Sequence, residues 1–293
     1  MNKVIVITGP TAVGKTKLSI EIAKKYNGEI INADAVQVYK GLDIGSAKVS
    51  VEEKENIPHH LFDIKEVDEE YTIYHYQQDC RKLIDDIQKR GKTPILVGGT
   101  GLYIKSALYD YKLSKETENN TYDELSNEEL YNELLELDKD IIVDKNNRRR
   151  LIRAINYYKE NNKSINTNKT DKLLYDTIFI VLTTDRETLY DKINKRVDIM
   201  VNNGLLEEIR PYYEKNIRTK PLLNAIGYKE IYKYLDGEYT YEEAIEKIKQ
   251  NSRHYAKRQY TFFNHQLPVV WFETNYNDFN NTIKKVSDYI DSN

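Results

Sequence analysis

The sequence of 293 residues contains one cysteine, Cys80, one tryptophan and two methionines, and its longest uninterrupted apolar run is the five residues 178–182. A single cysteine excludes an internal disulfide and any cysteine-cluster metal site. Five apolar residues fall far short of the ~18 that a membrane-spanning helix needs. The apolar residues 4–7 run straight into a glycine-rich turn and are too few for the core of a secretory signal. These absences read as a soluble cytoplasmic protein with no membrane partner.

What is present is ample material for a core. Hydrophobic residues make up 40% of the chain, and its length suits one large domain or two ordinary ones at ~100–200 residues each. The charged fraction is 31%, above the ~25% of an average soluble domain. The net charge of −3 is unevenly distributed: residues 113–140 hold ten acids against Lys115 and Lys139, a local −8, which leaves +5 on the remainder. A basic remainder set apart from an acidic segment points to a polyanionic partner. The 25 tyrosines against 6 phenylalanines are a compositional bias rather than a set of stacking residues.

Short apolar runs alternate with helical spacing over the first hundred residues. Strands are expected at 3–8, 29–32, 60–64 and 93–97, with helices at 15–25 and 71–90 between them. Strands alternating with helices imply a parallel sheet covered on both faces. A fifth strand is expected at 177–183 and a sixth at 267–271. Residues 113–127 and 161–172 are polar; the second stretch reads as a surface loop. The expected architecture is an α/β core of residues 1–111 and 173–293, interrupted by a mostly helical insertion at 112–172. From 185 to 264 the pattern is helical, with turns at Gly204, Pro221, Gly227 and Gly237, and no internal repeat is present.

Gly9-Pro10-Thr11-Ala12-Val13-Gly14-Lys15-Thr16 fits the phosphate-loop pattern G-x-x-x-x-G-K-[ST], between an expected strand and an expected helix. Backbone N–H groups and the helix N-terminus would cradle a diphosphate or triphosphate, Lys15 would add a charge, and the Thr16 hydroxyl would take Mg²⁺. Asp34 lies just beyond the second strand, where ligands of open α/β sheets bind. There it can reach Mg²⁺ through water, accept a proton, or cap the next turn. Gly98-Gly99-Thr100-Gly101 brings a second loop to the same edge, with the Thr100 hydroxyl available to a ligand. Two basic runs stand out: Arg148, Arg149, Arg150 and Arg153, with Leu151 and Ile152 turned inward; and Lys247, Lys249, Arg253, His254, Lys257 and Arg258, interleaved with Tyr255. Each is a solvated face or a phosphate-backbone contact. His59 and His60 would point to opposite faces of a strand, which argues against zinc.

Taken together, these residues resemble the tRNA dimethylallyltransferase (isopentenyl-tRNA transferase) family over nearly the whole chain. The resemblance is carried by residues 9–16, 34–39, 41–48, 58–61, 98–103, 147–154 and 225–230, and by the closing run Arg253-His254-Tyr255-Ala256-Lys257-Arg258-Gln259. The chain departs from the family pattern at Ala35, Asp144-Lys145, Asn161-Asn162, Phe262 and Asn264.

The resemblance implies a P-loop NTPase-like core. It also implies transfer of a dimethylallyl group from dimethylallyl diphosphate to the exocyclic amine of the adenosine 3′ of a tRNA anticodon. On that reading residues 9–16 and Arg196 hold the diphosphate, Lys15, Thr16 and Asp34 are catalytic, and Mg²⁺ is the cofactor. The anticodon stem-loop would meet Asp34, Ala35, Val36, Gln37, Thr100, Arg149, Arg150, Leu151, Ile152, Arg153, Arg253, Lys257 and Arg258, and the enzyme would act as a monomer. Rival readings are a transferase acting on free adenine nucleotides, an ATP-dependent small-molecule kinase, and a non-enzymatic RNA-binding protein.

Overall fold

β1 (Val4–Thr8) is buried along its whole length, as a strand covered on both faces must be. It pairs in parallel with β4 (Thr93–Val97) on one side, Ile5 opposite Ile95, and with β7 (Thr177–Thr183) on the other, Ile5 opposite Ile178. β2 (Gly28–Asn32), β3 (His59–His60) and β8 (Val270–Glu273) complete a parallel six-stranded sheet in the order β3-β2-β4-β1-β7-β8. The structure is a computed structural model that describes residues 3–111, 113, 122–165 and 169–293. No helix among these residues is long and apolar enough to cross a membrane.

The chain divides into two compact units, residues 1–108 with 175–293, and residues 109–174. In the first, α1 (Lys15–Lys25), α6 (Arg186–Asn202) and α11 (Phe279–Ser292) press Leu18, Ile22, Leu189, Ile193, Val286 and Ile290 onto Ile5, Ile7, Ile95, Ile180 and Leu182 of the sheet. α2 (Ile73–Lys89) and α3 (Gly101–Leu108) follow β3 and β4, and Cys80 is buried in α2, where burial pushes its thiol up to about 12. α7 (Leu205–Glu214), α8 (Lys220–Asn224), α9 (Tyr228–Leu235) and the long α10 (Tyr241–Gln266) form the helical C-terminal region.

The second unit has its own core. α4 (Asn127–Leu137), capped by Ser126 and Glu129, packs Leu130 and Leu134 against Leu151, Ala154 and Ile155 of α5 (Arg148–Asn161). The unit is two residues or more wider at each end than the expected 112–172, because β5 (Tyr109–Tyr111) and β6 (Lys169–Leu173) pair antiparallel across its ends. The expected surface loop at 161–172 is therefore corrected: its last residues are strand, placed by a partner some sixty residues away in sequence. Most of the polar stretch 113–127 lies outside the described residues.

Two strand boundaries also differ from expectation. The third strand stops at His60 because Leu61 and Asp63 adopt left-handed backbone, φ 62° and 53°, which no strand accommodates. The last strand begins three residues late, because α10 continues to Gln266 and Val269 N–H turns back to the Leu267 carbonyl. His60 meets the buried Glu29 at 2.7 Å, and Arg90 and Lys92 bind the same carboxylate. Glu29 is thereby held far below the usual carboxylate range, chiefly by Arg90.

Candidate active site

The site begins where β1 ends. Gly9 turns the chain with φ 140°, and a Cβ there would stand 2.5 Å from the Leu182 carbonyl oxygen, so only glycine fits between β1 and β7. Gly14 opens α1 with φ 92°. The Lys15 ammonium donates to the carbonyls of Gly9 (3.0 Å) and Pro10 (2.7 Å), and so lies across the mouth of the loop. Its pKa falls to about 7, chiefly through desolvation and then through the charge of Arg196, with Asp34 opposing the shift. Thr16, the second residue of α1, is exposed beside the loop.

Asp34 is set by Asn32, a buried polar residue at the end of β2. The Asn32 side chain accepts from Asp34 N–H at 2.9 Å and donates to the carbonyls of Asp34 (3.1 Å) and Leu61 (3.0 Å). Asp34 Oδ1 accepts from the N–H groups of Val36 (2.9 Å) and Gln37 (3.4 Å), which is the turn-capping role. Among the described residues Oδ2 accepts no hydrogen bond, so capping and a second function coexist in one carboxylate. Thr100 faces the same turn, its Oγ1 accepting from Ala35 N–H at 3.2 Å.

These groups share one cavity of about 870 Å³. Its walls include Lys15 and Thr16 from the phosphate loop, Asp34 through Gln37, Thr100, and Arg196 of α6. Desolvation lowers the pKa of Arg196, while Asp34 and then Glu53 work against that loss. Three charged groups of one site are thus electrostatically linked: two cations that repel across the phosphate loop and one carboxylate facing both. An anion of two or more charges entering beside Lys15 and Arg196 relieves that repulsion.

α10 closes another wall with Tyr255, Arg258 and Gln259. Gln259 donates to the Gly99 carbonyl at 2.9 Å, and its Oε1 is buried with no partner among the described residues. Tyr255 approaches the same carbonyl, and burial raises its phenol to about 12. The role of Gln259 and Asn32 was not visible from motif reasoning. The signals are the place of Gln259 at the end of the family-like run 253–259 and of Asn32 at the end of a buried strand.

The basic residues separate into groups. Arg258 lines the cavity and lies over the Tyr255 ring at 5.6 Å. Arg253 is engaged instead by Asn194 at 2.6 Å, and Lys249 by Asp198 at 2.8 Å, while Lys257 is exposed. Arg149, Arg150 and Arg153 are exposed on α5 in the second unit, with Ile152 half-buried. Leu151 has no exposed surface, so it fixes the helix that carries the arginines and offers RNA nothing to touch. Arg148 donates to the carbonyls of Leu125 and Tyr122 and so ties α5 into its own unit.

The chain matches the IPP transferase family model over residues 37–266. It is 49% identical to the tRNA dimethylallyltransferase of Anoxybacillus flavithermus, covering 99% of this chain and 96% of that one. It is 50% identical to the enzyme of the same name from Macrococcus caseolyticus over 94% and 92% of the two chains. Among solved structures, the tRNA isopentenylpyrophosphate transferase of Bacillus halodurans superposes with a TM-score of 0.78 at 40% identity, over 100% of this chain and 96% of that one. A eukaryotic dimethylallyltransferase acting on tRNA superposes with a TM-score of 0.88 at 31% identity, over 100% of this chain and 80% of that one. The phosphate loop and Asp34 precede the matched region of the family model, yet they line one cavity with Gln37, Thr100, Arg196 and Arg258 from within it; the chain belongs to the tRNA dimethylallyltransferase (IPP transferase) family and is a prenyltransferase.

Proposed function

We propose that the enzyme transfers the dimethylallyl group of dimethylallyl diphosphate to N6 of the adenosine 3′ of a tRNA anticodon, acting as a monomer. The observation that carries this reading is the cavity itself. It sets a phosphate loop with Lys15 and Arg196 on one side and a carboxylate, Asp34 Oδ2, unpartnered among the described residues, on the other. A kinase needs a phosphate loop but has no use for the exposed arginines of α5, and neither has a transferase for free nucleotides.

In the reaction the N6 lone pair attacks the allylic C1, the C1–O bond breaks, and diphosphate leaves with the bonding electrons. Lys15 and Arg196 neutralise charge that grows on the departing oxygens, which is stabilisation that rises toward the transition state. The amine becomes acidic as its new bond forms, and Asp34 Oδ2 takes that proton. Asn32 and the Val36 and Gln37 N–H groups keep the carboxylate in place without occupying that oxygen.

The donor set suits Mg²⁺, which binds through few protein oxygens when phosphates and water supply the rest. The Thr16 hydroxyl is the protein oxygen that would hold it, and bound there it would offset phosphate charge while Asp34 Oδ2 stays open for the proton. The target adenine must leave its stacked loop to reach the cavity, at a cost of a few kcal/mol. Arg258 at the cavity, and Arg149, Arg150 and Arg153 on α5, offset that cost through the RNA backbone.

The test offers radiolabelled dimethylallyl diphosphate with tRNA or with AMP, and ATP in parallel with both. Label in tRNA alone is the expected result. Label in AMP, or ATP turnover with the allylic diphosphate ignored, would overturn the reading.

A further inference from the structure

Residues 42–48 form a single helix-like turn in the cavity wall. Ala47 N–H bonds the Ile44 carbonyl (3.0 Å), Lys48 N–H the Asp43 carbonyl (2.9 Å), and Ser46 Oγ the Leu42 carbonyl (2.6 Å). A turn this short leaves its leading N–H groups and its trailing carbonyls without internal partners. Both ends are satisfied from elsewhere. Glu208, in the first turn of α7, takes the leading end: Oε2 accepts from Asp43 N–H (2.9 Å) and Ile44 N–H (2.6 Å), and Oε1 from Gly45 N–H (3.1 Å) and the Tyr228 hydroxyl (2.8 Å). Gln37 takes the trailing end, donating to the carbonyls of Ser46 (3.0 Å) and Ala47 (3.2 Å).

The two grips have consequences for each other. Gln37 has two amide protons and both are used, so its side chain cannot flip while the turn stays in place. Its Oε1, without a partner among the described residues, is left as an acceptor at the cavity. Three convergent backbone N–H groups are otherwise a ready phosphate cradle; here the Glu208 carboxylate fills them, so they are closed to another anion. A Cβ on Gly45 would stand 2.6 Å from the Tyr228 ring, so the turn and α9 fit only with glycine there.

We propose that Glu208 is a positioning residue for the RNA-facing wall: it holds the 42–48 turn and, through it, the orientation of the Gln37 amide. The proposal rests on the prenyl-transfer reading above. Charge-assisted bonds to one carboxylate fasten the leading end of the turn, from an element 165 residues away in sequence, while Lys48 ties the turn locally to Asp43, Asp63 and the Tyr39 carbonyl. The diphosphate groups Lys15, Thr16 and Arg196 make no bond to Glu208.

Steady-state transfer with tRNA varied, and calorimetric binding of dimethylallyl diphosphate, are measured for the wild type, Glu208→Gln and Glu208→Ala. Glu208→Ala should lower kcat/KM for tRNA by about 10- to 100-fold, the loss that follows displacement of an orienting group by about an ångström. Glu208→Gln keeps one carbonyl oxygen and should fall between alanine and wild type, while allylic diphosphate affinity stays unchanged in both. A purely structural role would lower the melting temperature and leave kcat/KM of the folded enzyme untouched. That outcome, or equal losses for tRNA and diphosphate, overturns the proposal. Should the alanine variant fail to fold, Glu208→Gln decides alone. Wild-type enzyme that labels no tRNA sinks the functional reading itself, a result separable from either variant's.

Discussion

Lys15 gives the site a pH signature with a definite sign. Its ammonium is desolvated at the phosphate loop beside Arg196, and its pKa falls to about 7 in the protein alone. It is charged below that pH and neutral above it. Binding of a diphosphate requires the charged form, and the bound anion then holds the proton on. At pH 6 about nine-tenths of the lysine is charged and at pH 8 about one-tenth, so this group alone weakens apparent affinity roughly tenfold between those values. The ligand works the other way, since losing its last proton as pH rises strengthens attraction to cations. Comparing wild type with Lys15→Ala separates the two, because the variant retains only the ligand's titration. Calorimetry in buffers of different ionisation enthalpy should show uptake approaching one proton by the wild type at pH 8, and the difference between the two affinity profiles should fall as pH rises. Parallel profiles with no lysine-dependent proton uptake would refute the electrostatic account of the loop.

Asp34→Asn preserves the cap on Val36 and Gln37 N–H but cannot take a proton, so single-turnover transfer to pre-bound tRNA should slow by ~10²–10⁴-fold with tRNA affinity little changed; near wild-type rates would reduce Asp34 to a cap. Replacing Arg149 and Arg153 together should reduce the slope of log K against log salt for tRNA by roughly 1–2 units, and an unchanged slope would assign them to intramolecular contacts. Leu151→Ala opens a hole in the core of the 109–174 unit and should cost about 2–5 kcal/mol of its stability, read by thermal denaturation; a silent substitution would mean that this core repacks freely.

The parts of the site that sequence reveals are those whose chemistry is local. The phosphate loop is eight consecutive residues between a strand and a helix, so pattern and context coincide, and α1 runs over Lys15–Lys25 as its spacing predicts. Asp34 was readable as a residue beyond a strand end, though not which of its roles it performs; the bonds from Val36 and Gln37 show capping and leave Oδ2 for another. The arginine runs were readable as charge but not as geometry. Arg148 and Arg153 belong to one basic run on α5, yet Arg148 donates to carbonyls inside its unit while Arg153 is exposed. Which arginine is internal depends on where a helix packs, and a charge pattern carries no such information.

The least legible part is what holds the phosphate loop from outside. Thr274 donates to the Val13 carbonyl (3.0 Å) and Tyr276 to the Ala12 carbonyl (3.3 Å), while a Cβ on Gly14 would stand 2.7 Å from the Phe279 ring. Three consecutive loop residues are thus braced by Thr274 and Tyr276, between β8 and α11, and by Phe279, the first residue of α11, all more than 260 residues away in sequence. Ala12 adopts φ 69°, a left-handed conformation that disfavours a residue with a Cβ and persists where surroundings over-determine it; the Tyr276 hydroxyl is one such constraint. The family match ends at residue 266, before this brace begins. A P-loop motif therefore specifies the cradle's chemistry, whereas its shape in this enzyme also depends on residues whose sequence carries no phosphate-binding pattern.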